Sequence, residues 1–311
     1  MTNPFFNKSF LSVQELTPQD ISLLFQETDD MKKIVLTKSG TDILKGKVVA
    51  CLFYEPSSRT FSSFVSAINR VGAGAIQLLG MQSSSVAKGE TLEDTIRTFG
   101  CYADVIVMRH PETESAAFAA KHSYVPIINA GDGKGEHPTQ ALLDAYTLHS
   151  HFPDYSKVTF AGVGDMKNGR TIHSFAKLLA NLGTKKFIFV SPEVLKMPEE
   201  VVEFIKKKGG EVTEVEGLNE VIGNVDVLYA TRVQKERFEN EEEYEKLKNK
   251  YIITPDTMKL AKKDMILMHP LPRVGEITNE VDNDPRSVYI REQMTNGVYT
   301  RMALLKLILT K

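Results

Sequence analysis

The chain has 311 residues, 42% hydrophobic and 25% charged, a composition typical of a folded globular protein and not of a disordered or coiled-coil chain. Its length exceeds what one hydrophobic core usually fills, so we expect two domains of about 150 residues each. With 38 Lys and Arg against 40 Asp and Glu, the formal charge of −2 gives no general attraction to nucleic acid or to an anionic membrane, so any basic site must be a local cluster.

The two cysteines, Cys51 and Cys101, lack the short spacing of a metal site, and we expect both to be reduced core residues. The N-terminus shows no basic segment followed by an apolar one, and no apolar run approaches the roughly 18 residues that a membrane span needs. We therefore expect a cytoplasmic protein with no membrane or nucleic-acid partner.

Predicted strands and helices alternate along the chain, which is typical of parallel sheets covered on both faces. In the first half, strands are expected at 47–54, 74–79, 104–109 and 124–129, with helices beginning near residues 58, 90 and 112. Three glycines within 131–135 mark a loop, and a helix follows at about 138–150. In the second half, strands are expected at 157–162, 186–190, 211–215, 226–230 and 265–268, helices near 170–182, 198–208 and 241–250, and a long last helix at 285–309.

These elements predict an α/β fold with two Rossmann-like parallel-sheet lobes bridged by two helices. The predicted division places residues 1–136, together with the C-terminal helix 286–311, in one domain and residues 137–285 in the other. Parallel sheets bind ligands at the carboxyl ends of their strands, so we expect the site in the cleft between the lobes.

The segment Ser57-Ser58-Arg59-Thr60 stands where the first predicted strand gives way to a helix. The first backbone N–H groups of a helix have no internal partner and lie at the positive end of its dipole, so an oxyanion can bind there. The two serines could simply cap the helix. Arg59 and Thr60 favour a phosphate site, because a planar set of donors beside a hydroxyl suits a phosphate group.

Two further segments of the first half carry candidate anion ligands. Ser84 and Lys88 lie in a small polar loop, which is either a flap that brings them onto an anion or a solvated loop with a surface lysine. Arg109 closes the third predicted strand, and an arginine at the end of a buried strand is uncommon unless it has an anionic partner.

His137 follows the glycine loop, with Pro138 at the expected first helical position and Gln140 in the first turn. Residues three apart share one helix face, so the imidazole and the amide could address one small ligand. We favour His137 as a donor to a carbonyl oxygen, with a capping or packed histidine as the alternative.

Residues 160–170 resemble half of a dinucleotide-binding fingerprint through Gly162 and Gly164. The third glycine of that pattern would stand where this chain has Lys167, so the NAD interpretation is weak. Arg170, at the start of the next helix, is better placed to meet a carboxylate.

Two segments that follow strands complete the candidate set. If the chain stays extended after strand 226–230, Arg232 and Gln234 project to one face and could bind a carboxylate; a charged surface stretch is equally consistent. The segment 269–273, His-Pro-Leu-Pro-Arg, contains two X-Pro bonds and could form a rigid turn that presents backbone carbonyls to a ligand amide. A simple turn fits equally well.

Taken together, these segments resemble the catalytic chains of the aspartate carbamoyltransferase family from about Phe10 to Leu309. Six motifs carry the resemblance, in this order: Ser57-Ser58-Arg59-Thr60, Lys88-Gly89-Glu90-Thr91, Met108-Arg109-His110-Pro111, His137-Pro138-Thr139-Gln140, Arg232-Val233-Gln234-Lys235-Glu236-Arg237 and His269-Pro270-Leu271-Pro272-Arg273. The last two separate the aspartate branch from ornithine relatives, which have a His-Cys-Leu-Pro segment at the last motif.

The resemblance implies an enzyme that transfers the carbamoyl group of carbamoyl phosphate to the α-amine of L-aspartate, in de novo pyrimidine biosynthesis, with no metal and no other cofactor. The first domain would bind carbamoyl phosphate and the second aspartate. Carbamoyl phosphate would be bound by Ser57, Ser58, Arg59, Thr60, Ser84, Arg109, His137, Gln140, Leu271 and Pro272. Among these, Arg59, Thr60, Arg109, His137 and Gln140 would be catalytic, and aspartate would be bound by Lys88, Arg170, Arg232 and Gln234.

The resemblance also implies a homotrimer with shared active sites, because Ser84 and Lys88 come from the neighbouring chain in the family. It allows regulatory chains or a dihydroorotase as further partners. The alternatives are a transcarbamoylase acting on another amino acid such as ornithine, an NAD(P)-dependent oxidoreductase, and a catalytically silent scaffold. The sequence leaves open the isomer of the Leu271–Pro272 bond and the protonation state of His137.

Overall fold

A computed structural model describes residues 3–80, 85–234, 241–247 and 250–311 of the chain. The contacts divide it into two compact units, one formed by Met1–Leu143 with Thr295–Lys311 and the other by Asp144–Met294. The chain passes from one unit to the other within one helix, Pro138–His151, and near the start of a second, Glu292–Leu309. The predicted fold of two parallel-sheet lobes bridged by two helices is confirmed.

The first unit is built on a four-stranded parallel sheet. Its elements are α1 Pro18–Lys38, β1 Val48–Phe53, α2 Ser58–Arg70, β2 Gly74–Leu79, α3 Leu92–Gly100, β3 Val105–His110, α4 Ser115–His122 and β4 Ile127–Asp132, followed by α5 Pro138–His151. The strand order is β2-β1-β3-β4, and every neighbouring pair is parallel. The carboxyl ends of these strands therefore lie at one edge of the sheet.

The centre of this sheet consists of β1 and β3, in which nearly every residue is buried. Parallel strands that are covered on both faces require such continuous apolar runs. The helix α2 packs on β1 and β2 with Phe64, Ala67 and Ile68 buried at helical spacing. Each buried Phe or Ile side chain contributes about 2 kcal/mol to the burial free energy.

The second unit contains a five-stranded parallel sheet of order β7-β6-β5-β8-β9. Its elements are β5 Thr159–Val163, α6 Arg170–Asn181, β6 Lys186–Val190, α7 Glu199–Lys207, β7 Glu211–Val215, β8 Val227–Ala230, α8 Glu241–Leu247, α9 Pro255–Leu260 and β9 Ile266–Met268, and α10 Glu292–Leu309 follows. Apolar residues of β5, β6, β8 and β9 pack on one face of this sheet. The carboxyl ends of β5, β8 and β9 lead directly into the predicted site segments.

The last helix begins later than predicted, at Glu292 instead of residue 285. Residues 285–291 are not helical, because their backbone pairs with β9: the Leu267 N–H donates to the Arg286 carbonyl at 2.8 Å and the Val288 N–H donates to the Leu267 carbonyl at 3.1 Å. These contacts to distant parts of the chain replace the local hydrogen bonds of a helix.

Cys51 and Cys101 are both free thiols, but only Cys51 is buried. Burial raises the pKa of Cys51 to about 12, which makes that thiol unreactive. The expected core position is wrong for Cys101, which follows the last turn of α3 and is exposed. Within the described ranges, no helix has both the length and the apolar content to cross a membrane.

Candidate active site

The carboxyl edge of the first sheet brings together three predicted segments. Arg109 of β3 pairs in register with Phe53, the last residue of β1. The backbone N–H of Tyr54 donates to the Arg109 carbonyl at 2.8 Å, so the segment that leaves β1 starts beside Arg109. Further along, Thr60 Oγ1 lies 3.4 Å from His137 Nε2, which joins positions 77 residues apart in sequence.

The N-terminus of α2 has the features of an anion site. Ser57 is the N-cap residue by position, but its side chain makes no capping hydrogen bond, which counts against the simple capping interpretation. Ser58 and Arg59 are exposed in the first turn, whereas Thr60 is buried. An anion here would meet backbone N–H groups, the positive end of the helix dipole and the Arg59 guanidinium.

Arg109 is only 8% exposed and has an anionic partner within the protein. Its Nη2 lies 2.7 Å from Glu55 Oε2, and its Nη1 donates to the Ala130 carbonyl at 3.3 Å. A guanidinium has five N–H donors, so it can contact a carboxylate and still bind a phosphate. The charge of Glu55 would nevertheless repel a phosphate placed close to it.

The loop before His137 is fixed by two carboxylates. Asp132 accepts a hydrogen bond from the backbone N–H of Glu136 at 2.8 Å, and burial raises the pKa of this aspartate. The Glu136 carboxylate binds the N-terminal segment, accepting from the Ser12 hydroxyl at 2.7 Å and from the Val13 N–H at 3.1 Å. The loop before His137 is therefore held by Asp132 within the loop and by the N-terminal segment outside it.

His137 and Gln140 are both buried, at 5% and 7% exposure. The backbone N–H of Gln140 donates to the His137 carbonyl at 3.0 Å, as expected for the first turn of α5. Both polar side chains are thus held out of solvent at the start of α5, where a hydrogen bond is electrostatically stronger than in water.

The loop that carries Lys88 is only partly described. Lys88 ends a short 3-10 helix, Ser85–Lys88, and its side chain is exposed. Shortly after it, the Glu90 carboxylate accepts the Thr95 hydroxyl at 2.7 Å, which attaches the end of the loop to α3. Ser84 lies outside the described residues, so its contact with a ligand stays a prediction.

In the second unit, the loops after β5 and β8 lie against each other. Gly164 has a φ of +113°, and a Cβ there would stand 2.2 Å from the Thr231 carbonyl oxygen. Asp165 is fully buried and accepts the backbone N–H of Asn168 at 2.9 Å, which fixes the turn before α6. Arg170 is the first residue of α6, so this turn sets its position.

Arg232 and Gln234 occupy the extended segment that the sequence predicts. Both are half-buried while Val233 between them is buried, so their side chains alternate as in a strand. Gln234 Nε2 donates to the Asn168 carbonyl at 3.0 Å, and the Arg170 N–H donates to the same carbonyl at 3.1 Å. The structure thus places Arg170 and Gln234 at one turn.

Gly162 and Gly164 serve packing within the protein. A Cβ at Gly162 would stand 2.2 Å from Ile172 Cδ1, and the Thr231 carbonyl occupies the space beside Gly164. In dinucleotide-binding sites, the second glycine leaves that space for the pyrophosphate. The NAD(P) alternative is therefore not supported.

The segment after β9 forms a tight turn, with a cis Leu271–Pro272 bond and a φ of +57° at Leu271. His269 is 1% exposed; its Nδ1 accepts the Leu271 N–H at 2.7 Å, so its Nε2 carries the proton and donates to Glu276 Oε1 at 2.7 Å. Burial alone would raise the pKa of Glu276, but the contact with His269 and the hydrogen bonds from backbone N–H groups together outweigh it, so the pKa is lowered. The Arg273 guanidinium forms hydrogen bonds within the protein, and its Nη2 donates to Asp282 Oδ2 at 3.0 Å.

Sequence reasoning found the cations of these segments but missed the carboxylates that position them, which are Glu55, Asp132, Glu136 and Asp165. Each stands close in sequence to a predicted site residue, and an acidic residue beside a cationic motif is the signal that could have found them. Across the part of the chain that the structure describes, no three His, Cys, Asp or Glu side chains are grouped to bind a metal ion.

Two domain families match the chain in succession. Residues 8–150 match the domain described as aspartate/ornithine carbamoyltransferase, carbamoyl-P binding domain, and residues 156–308 match the corresponding Asp/Orn binding domain. The chain belongs to the aspartate/ornithine carbamoyltransferase family. The candidate site residues of the first unit lie within the first matched region, and those of the second unit lie within the second.

Individual relatives within the family match over nearly the whole chain. The aspartate carbamoyltransferase catalytic subunit of Clostridium botulinum (strain Loch Maree / Type A3) is 47% identical over 296 residues, which cover 93% of this chain and 95% of that protein. The crystal structure of aspartate transcarbamoylase from Trypanosoma cruzi in complex with N-(phosphonacetyl)-L-aspartic acid superposes with a TM-score of 0.93 at 41% identity, covering 99% and 98% of the two chains.

A third relative is much longer than this chain. The multifunctional protein CAD of Squalus acanthias is 47% identical over 311 residues, which are 100% of this chain but 14% of that protein. The chain thus spans about a seventh of this relative and nearly all of the bacterial catalytic subunit.

Proposed function

We propose that this protein is an aspartate carbamoyltransferase of de novo pyrimidine biosynthesis. It transfers the carbamoyl group of carbamoyl phosphate to the α-amine of L-aspartate, giving N-carbamoyl-L-aspartate and phosphate. The observation that carries the proposal is the meeting of three residues at one edge of the first sheet. Arg109 ends β3, Thr60 follows the neighbouring strand β1, and Thr60 lies beside His137. Each of these residues was expected from its own sequence motif.

Carbamoyl phosphate is bound through its phosphate at the N-terminus of α2. The phosphate ligands are Ser57, Ser58, Arg59, Thr60, Ser84 and Arg109, and the carbamoyl group contacts His137, Gln140 and the backbone at Leu271 and Pro272. The exposed Arg59 and the buried Arg109 supply the positive charge that a doubly charged phosphate requires.

Aspartate is bound by Lys88, Arg170, Arg232 and Gln234. Two guanidinium groups and an ammonium group match the two carboxylates of aspartate. Ornithine has a cationic side chain, which the same groups would repel. Pro270 also stands where ornithine relatives have a cysteine, so aspartate is the acceptor that this residue set favours.

The reaction is an acyl transfer that relies on positioning and on charge. The deprotonated α-amine attacks the carbamoyl carbon and a tetrahedral oxyanion forms. The bond to the phosphate oxygen then breaks, and the departing phosphate takes up the proton that the amine loses. Carbamoyl phosphate and aspartate bring together roughly four negative charges, and fixed cations offset their repulsion. Thr60, Arg109 and His137 stabilise the oxyanion, and orienting two bound substrates supplies a large part of the rate enhancement.

An acceptor panel tests this function. The purified protein is incubated with carbamoyl phosphate and with aspartate, ornithine or other amino acids, and the carbamoylated product is identified by mass spectrometry. We expect N-carbamoyl-L-aspartate with one phosphate released per product. Citrulline formation from ornithine would instead establish the alternative transcarbamoylase, and no product with any acceptor would favour the silent scaffold.

We propose further that the protein is a cytoplasmic homotrimer with shared sites. Edge strand β2 supports an interface, since Leu79 is 50% exposed and Phe61 and Val65 of α2 line an open cavity beside it. If Lys88 serves the neighbouring chain, mixing the inactive variants Arg59→Ala and Lys88→Ala should restore activity in hybrid trimers. Sedimentation of the protein, alone and from native extract, tests the trimer and the association with regulatory chains or dihydroorotase.

A further inference from the structure

A series of buried hydrogen bonds in the second unit ends at the His269 turn. Gln293 in the first turn of α10 is 0% exposed. Its side-chain amide donates to Asp144 Oδ1 at 2.6 Å, and its Oε1 accepts the backbone N–H of His269 at 3.0 Å. Asp144, also 0% exposed, accepts the Tyr229 hydroxyl on its other oxygen at 2.7 Å. The series therefore links β8, α5 and α10 to the turn after β9.

The ring of His269 fixes the same turn from within. Its Nδ1 accepts the N–H of Leu271 and its Nε2 donates to Glu276, each at 2.7 Å. The backbone N–H and both ring nitrogens of His269 are thus engaged, two residues before the Leu271 carbonyl. The position of that carbonyl depends on these contacts.

This polar arrangement is costly in a protein core. A buried donor or acceptor that loses its partner costs more than the net gain of a hydrogen bond, so apolar side chains would stabilise this region as well or better. Hydrogen bonds are directional, however, and a fully paired buried network specifies one geometry. Gln293 and Asp144 are suited to fixing a position to within a fraction of an ångström.

We propose that Gln293 and His269 are positioning residues that fix the Leu271 carbonyl where it accepts a hydrogen bond from the amide of carbamoyl phosphate. The inference rests on the proposed function, since only that function gives this carbonyl a ligand. Neither residue touches the substrate. Both act through the backbone of the turn.

The test compares one ligand that has the amide with one that lacks it. Phosphonoacetamide carries the amide and a phosphonate in a stable form, whereas inorganic phosphate has no amide. Gln293→Met removes both side-chain hydrogen bonds at similar volume. By titration calorimetry we expect about tenfold weaker binding of phosphonoacetamide by the variant, with phosphate affinity changed by less than about twofold.

Tyr229→Phe is the matched control. It removes the buried hydrogen bond that the Tyr229 hydroxyl donates to Asp144, but it leaves the contact between Gln293 and His269 in place. It should lower the melting temperature and keep the wild-type preference for the amide ligand. The proposal is overturned if Gln293→Met keeps that preference, or if it weakens both ligands equally, which is general damage.

Two variants of His269 serve if Gln293→Met does not fold. Asparagine places an acceptor near the position of Nδ1, and glutamine places a donor near that of Nε2. We expect His269→Asn to retain the amide preference and His269→Gln to lose about tenfold of it; equal or reversed effects would overturn the proposal. A wild-type protein that binds phosphate but does not carbamoylate aspartate refutes the proposed function itself, whereas an active protein with unchanged variants refutes only the positioning role.

Discussion

Replacing Gly164 by alanine tests whether the contact between the loops after β5 and β8 determines the aspartate half of the site. At a φ of +113°, an alanine is strained by about 1–3 kcal/mol. Its Cβ would also stand 2.2 Å from the Thr231 carbonyl oxygen, and overpacking of this kind costs about 1–3 kcal/mol more. We expect Gly164→Ala to lower the free energy of unfolding by about 2–6 kcal/mol.

Gly183→Ala is the matched control. Gly183 has a φ of +99°, and a Cβ there has no atom within 4 Å. The two variants share the backbone strain, so the difference in their free energies of unfolding, measured by urea denaturation, isolates the contact with Thr231.

The contact also has a kinetic consequence. To accept the methyl group, the Thr231 carbonyl must move away, and Arg232 and Gln234 follow it along the chain. A displacement of this size should raise the KM for aspartate by about tenfold to a hundredfold in Gly164→Ala, and phosphate binding by the first unit should be unchanged. Equal stability losses in the two variants, or a wild-type aspartate KM in Gly164→Ala, would refute the reasoning.

Four further substitutions test other parts of the site. Arg59→Ala should abolish turnover and keep the near-ultraviolet circular dichroism, because the phosphate loses an exposed guanidinium. Lys45→Ala, at an exposed cation of the same unit, is the control, and near wild-type kcat in Arg59→Ala would contradict the assignment. His137→Ala should lower kcat by about 10²–10³ with little change in aspartate KM, and a rise in KM alone would show that His137 is misplaced. Arg232→Ala should weaken aspartate binding while equilibrium titration still shows phosphate binding; loss of both would count against its role. Burial lowers the pKa of His110 below its usual 6.5. As the pH falls, His110 therefore takes up a proton in the unfolded chain before it does so in the folded protein, and the folded state loses the stability that it has above about pH 6.5. His110→Asn keeps an acceptor for the Glu112 N–H and should flatten the dependence of the urea midpoint on pH between about 7 and 5; an unchanged slope would refute this linkage.

The central strands could be predicted from sequence because their apolar runs are continuous and are bounded by polar residues. β1 and β6 lie within two residues of their expected positions. α1 was not predicted, although Thr17, Pro18 and Asp20 form a capping box with proline at its start, which is a recognisable local signal. The start of α10 had no such signal, because it depends on the backbone hydrogen bonds of Arg286 and Val288 with the distant Leu267.

The cationic candidates for the site could be selected from the sequence because an arginine at the end of a buried strand requires an explanation. Arg109 is such a case. Arg170 was selected by a related argument, because it starts the helix that follows a buried strand. Gln293 was not predictable, since its partner Asp144 is 149 residues away and a lone glutamine near a helix start resembles any surface residue. Local patterns reveal charged groups at strand ends, whereas buried hydrogen bonds between distant segments appear only in three dimensions.

The first unit is discontinuous in sequence, and this affects the order of events during synthesis. Residues Asp144–Met294 are synthesised before Thr295, so the second unit can begin to fold while the first unit still lacks α10. Met302 and Leu305 of α10 are fully buried, and Asn3 binds the carbonyls of Leu307 and Thr310. The nascent first unit therefore exposes the apolar surface that α10 covers until residues 295–311 have been synthesised, and during that interval the exposed surface is available to chaperones.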